Sequence, residues 1–206
     1  MKPRILLVAV LVVSAMVAWA QGATRTEPST PEERQKALQY TKDLERQPLG
    51  PEAERERAWL TKWIIEIPDI TVPVCDEVLK PLLVGEVSQY RYSKELVAQA
   101  LAGSAAYLIQ HPPRSSEPDQ QDDFGINKAG LESALNAYQS IVRSGAKGGK
   151  WAPLEELVKK RNTGELDAYV RQATLKCLTG DTIRSSIRPP TPQTALRACA
   201  AHKLVN

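Results

Sequence analysis

The chain has 206 residues, 42% hydrophobic and 25% charged, with three cysteines and a formal net charge of +3. Its length suits one domain and is enough to bury a substantial core without extra staples. The near-balance of 27 basic and 24 acidic residues gives no electrostatic footprint for nucleic acid or anionic lipid.

The first 20 residues read as a leader. Lys2 and Arg4 form a basic start, Ile5 to Val17 is almost unbroken apolar sequence, and Ala18-Trp19-Ala20 fits a small-x-small cleavage site. The apolar run is shorter than the roughly 20 residues that span a bilayer, so a cleaved signal peptide is expected rather than an anchor. No cysteine follows the run to carry a lipid. Cleavage after Ala20 removes Lys2 and Arg4, leaving 25 basic against 24 acidic residues and a charge of +1. The expected location is secreted or periplasmic, with no transmembrane segment after signal cleavage. Residues 21–29 are polar, include Pro28 and read as a linker.

The single domain is expected over residues 30–178. Thr30-Pro31-Glu32-Glu33 is a capping-box pattern, with proline at the first helical position. It opens a helix to about Arg46, with Ala37, Leu38, Thr41 and Leu44 facing inward. Pro51 opens a second helix. Its outer half is Glu52, Glu54, Arg55, Glu56 and Arg57, and its inner stripe is Trp59, Leu60, Trp63, Ile64 and Ile67. Pro68 stops it. Thr71 is placed to cap a third helix through Val74, Cys75, Val78, Leu79, Leu82 and Leu83, with a kink or end near Lys80 because Pro81 falls inside the pattern.

Ser93 is expected to cap a helix over 94–110. Leu96, Val97, Ala100, Leu101, Ser104, Ala105, Leu108 and Ile109 form its stripe. Ala98, Ala102, Gly103 and Ala106 are small enough to admit a second helix closely. Arg114 to Asp123 contains no apolar residue and reads as a mobile surface loop. Asn127 is placed to cap a helix carrying Leu131, Ala134, Leu135, Tyr138, Ile141 and Val142. Ala146 to Lys150 reads as a flexible turn. A short helix follows from Pro153, ended by Asn162-Thr163-Gly164, and a last helix carries Leu166, Tyr169, Val170, Ala173 and Cys177. Residues 179–206 read as a weakly structured tail. No segment alternates with period 2, and no motif recurs at a fixed period.

Three cysteines in an oxidising compartment leave one over once two have paired. Cys75 and Cys177 each lie at a predicted helix with apolar neighbours, so this pair is favoured and Cys177–Cys199 is the runner-up. Closing a loop of about 100 residues is worth up to about 4.7 kcal/mol in the chain-entropy model.

Chemistry-bearing patterns are sparse. The only histidines are His111, at a helix C-terminus, and His202, in the tail; there is no G-x-S-x-G. Neither H-E-x-x-H nor paired C-x-x-C occurs. The oxygens of Asp119 to Asp123 lack the order of an EF-hand loop. Glu66, Asp69, Asp76 and Glu77 flank the Trp-rich segment, where an apolar wall could raise a carboxyl pKa for general-acid work. Asp76 and Glu77 equally suit a helix start.

The expected fold is all-α, a compact irregular bundle of six to eight helices held by a disulfide. Its core is expected to include Trp59, Trp63, Ile64, Ile67, Leu79, Leu101, Leu108, Leu135, Tyr138 and Val170. The expected role is a non-enzymatic binding or interaction module of the cell envelope, with no cofactor and with a protein or envelope partner. The alternatives are an envelope glycan hydrolase using the carboxylates near the Trp-rich segment, and a carrier of a small hydrophobic ligand.

Overall fold

The computed structural model describes residues 25–83, 90–112 and 122–179. The expected leader 1–20, most of the expected tail with Cys199 and His202, and most of the expected 114–123 loop lie outside the described residues. Seven helices are found among those described: α1 Pro31–Arg46, α2 Ala53–Glu66, α3 Asp76–Leu83, α4 Ser93–Gln110, α5 Asp123–Arg143, α6 Ala152–Thr163 and α7 Leu166–Leu178. The protein is an all-α bundle.

The capping box at Thr30 is complete. Its hydroxyl accepts from the Glu33 amide while the Glu33 carboxylate accepts from the Thr30 amide. Gly164, with φ of 80°, ends α6 in the left-handed conformation that glycine adopts without a Cβ penalty.

Helices α4 and α5 form the spine, and they touch where their side chains are smallest. A Cβ on Gly103 would stand 2.4 Å from the Ser133 Cβ, and one on Gly130 would stand 2.4 Å from the Ser104 hydroxyl and 2.7 Å from the Ala100 carbonyl oxygen. The small-residue run in α4 thus serves the close approach expected of it, and its partner is α5.

Two core clusters divide the spine. The first gathers Leu96 and Ala100 of α4 and Leu131, Leu135, Tyr138 and Ile141 of α5 with residues from α3, α6 and α7. The second gathers Ala102, Ala105 and Leu108 of α4 and Ile126 of α5 with Trp63, Ile64 and Ile67, and with Ala37 and Leu44 of α1. Polar groups join α1 to the spine. The Gln99 side-chain amide donates to the Thr41 carbonyl and to the Ser133 hydroxyl, and Ser133 donates to Glu45 at 2.6 Å. These buried groups satisfy one another, as burial requires.

The Cys75–Cys177 disulfide is present, with Cα atoms 5.8 Å apart and 102 residues between them in sequence. It joins the start of α3 to the end of α7. The runner-up pairing with Cys199 is therefore excluded.

Several expectations need correction. The third helix begins at Asp76, not near Thr71. Pro73 forces Val72 into extended backbone, so a helix cannot run through that point. Ile70, Val72 and Cys75 are buried in this extended stretch instead. Pro81 does not end α3, which continues to Leu83. The proline leaves the Glu77 carbonyl without its usual amide donor, and the Tyr169 hydroxyl lies 3.3 Å from that oxygen and 3.4 Å from the Val78 carbonyl.

Ser93 is not a cap but the first, buried residue of α4, with Tyr92 at the cap position and making no side-chain cap bond. Asp122 rather than Asn127 caps α5, accepting from the Gly125 amide at 2.9 Å. Asn127 is buried one turn further on and donates to the Thr174 hydroxyl, tying α5 to α7.

The 146–150 turn is pinned: the Tyr90 hydroxyl donates to the Gly149 carbonyl at 2.8 Å, and that of Tyr92 to the Lys147 carbonyl at 3.0 Å. Of the expected core residues, Trp63, Ile64, Ile67, Leu79, Leu108, Leu135, Tyr138 and Val170 are buried, whereas Trp59 and Leu101 are half-buried. Leu60 takes the inward place beside Trp59.

Candidate binding surface

Helix α2 turns one face to the core, and no other helix covers the opposite face among the described residues. Leu60, Trp63 and Ile64 are buried, and Ile67 caps the helix in extended conformation because Pro68 follows it. On the opposite side runs a shallow, open groove, whose described lining comes from α2 alone. Ala58, Thr61 and Ile65 are among its lining, and Ile65 is 47% exposed. Four charges border it: Glu54, Arg57, Lys62 and Glu66. Lys62 lies 3.9 Å from Glu66, and both are largely exposed. Arg57 donates to the Pro48 carbonyl at 2.7 Å, and burial pulls its pKa down. It remains a cation at any ordinary pH. The surface therefore combines an apolar contact with balanced, solvated charge.

A second hollow of about 310 Å³ lies at the α1–α2 turn, bordered by Asp43, Arg46, Glu52 and Glu56. Burial, with Asp43 and Glu52 nearby, raises the Glu56 pKa.

The tryptophans are not part of an open platform. The Trp59 ring stacks on Trp63 at 5.7 Å, meets Tyr40 edge-on at 5.5 Å and carries the Lys36 ammonium 4.4 Å above it. Trp63 is 3% exposed, and its indole N–H has no partner within hydrogen-bonding distance. The paired hydrogen bonds from Arg25 and the bond from the Thr30 amide hold the Glu33 pKa down at about 2.

The four carboxylates singled out in the sequence have different partners. Glu66 borders the α2 groove. Asp69 accepts from the Ser29 amide and hydroxyl and from Arg34 at 2.7–2.8 Å. Burial opposes its ionisation, but these bonds outweigh burial and hold its pKa below the usual range, the reverse of what a general acid needs. The same bonds fasten the end of the 21–29 stretch to the fold. Asp76 and Glu77 start α3 beside α7, where Glu77 is 3.6 Å from Lys80 and 3.9 Å from Lys176.

His111 caps α4, its Nδ1 3.1 Å from the Tyr107 carbonyl and its ring stacked 4.2 Å from that of Tyr107. The Tyr107 hydroxyl donates to Asp122, which lowers the Asp122 pKa. Among the described residues, no group of three or more His, Cys, Asp or Glu side chains could hold a metal ion. No helix among them is long and apolar enough to cross a membrane.

Sequence reasoning assigned Glu54 and Arg57 to a solvated half and did not notice the groove. The available signal was Ile65, an apolar residue lying outside the stripe of Trp59, Leu60, Trp63, Ile64 and Ile67. No family model, curated protein or solved structure matches the chain.

Proposed function

We propose that this protein is an exported, non-enzymatic interaction module that engages a protein partner of the cell envelope through the outer face of α2. One observation carries the reading: an exposed isoleucine in a shallow, open groove on α2, bordered by charges of both signs. Apolar contact ringed by polar groups is the usual composition of an interface. The leader, with its basic start and small-x-small site, supports export. The rival hydrolase and carrier readings have less support. Asp69 is held ionised by Ser29 and Arg34, and Trp63 lies in closed core rather than along the groove.

The test places a photo-crosslinking residue at Thr61, in the groove, or at Glu156, exposed on α6, in the full chain expressed in cells. The expected outcome is a discrete adduct from Thr61 that is absent from Glu156 and lost when Ile65→Asp is added. Equal adducts at both positions, or none at Thr61, would overturn the reading.

A further inference from the structure

We draw no further inference here: the strongest candidate, the shallow groove along the outer face of α2 lined in part by the exposed Ile65, belongs to the surface already put forward, and nothing in the structure shows what covers it.

Discussion

The two core clusters that share the α4–α5 spine are held by different means. The cluster of α3, α6 and α7 is closed covalently, by Cys75–Cys177, and its aromatics use their hydroxyls to fix backbone. Tyr90 and Tyr92 pin the 146–150 turn, Tyr138 accepts from the Trp151 amide, and Tyr169 answers the carbonyl freed by Pro81. The cluster of α1 and α2 has no covalent tie among the described residues. Its large aromatic, Trp63, contributes area alone, and its edge is closed by the charged clasp of Arg25, Glu33, Arg34 and Asp69. One cluster is therefore secured against chain entropy, and the other depends on apolar burial and pH-sensitive bonds.

That contrast can be broken at the spine, which both clusters need. Gly130→Leu would drive side-chain atoms into the Ala100 carbonyl and Ser104, and neither helix backbone can yield. We expect a loss of more than about 3 kcal/mol and no cooperative melt by circular dichroism. A melt that kept half its amplitude would show the clusters to be independent.

Trp63→Ala is expected to cost about 3–5 kcal/mol, with hydrogen exchange rising first in α1 and α2. Replacing Cys75 and Cys177 together by serine is expected to cost about 2–4 kcal/mol, with exchange rising first in α3 and α7. If both variants deprotect the same helices, the two clusters fold as one unit and the contrast is only compositional.

The smallest effect is expected from Asp69→Asn, about 1–2 kcal/mol at neutral pH through weakened bonds to Ser29 and Arg34. Glu33 and Asp69 both have folded pKa values below those of the unfolded chain, which lie near about 4. Their contribution is present above that value and is lost as pH falls through their lowered folded pKa values, about 2 in the case of Glu33. The melting temperature of the parent should therefore drop over this range, and that of the Asp69→Asn variant should drop less. Parallel curves would show that the clasp contributes nothing to acid stability.

Much of the fold was legible because helical periodicity, prolines and glycines are local signals. The capping box at Thr30, the stop at Pro68, the end of α6 at Gly164 and most of the α5 stripe were found where the residue pattern put them. The misread caps share one cause. Thr71, Ser93 and Asn127 have side chains that suit a helix start, but Pro73, the Tyr90–Tyr92 turn and Asp122 set the actual starts. A capping residue is favourable only if the backbone before it is already extended, and neighbouring contacts decide that. The α2 groove was illegible for a similar reason, since one exposed isoleucine among charges is ordinary on any surface.

The sequence by itself determined the helical class and the close-contact face of α4, because both follow from residue size, spacing or hydrophobic period; it favoured one cysteine pair without fixing it. Only the tertiary structure decided that α5 is the helix that meets that face, that the core divides into two clusters, and that Tyr169 replaces the donor lost at Pro81. It alone placed Asp69 in a clasp and left Ile65 exposed on the outer face of α2. These outcomes depend on groups distant in the chain meeting in space, and periodicity carries no record of which ones do.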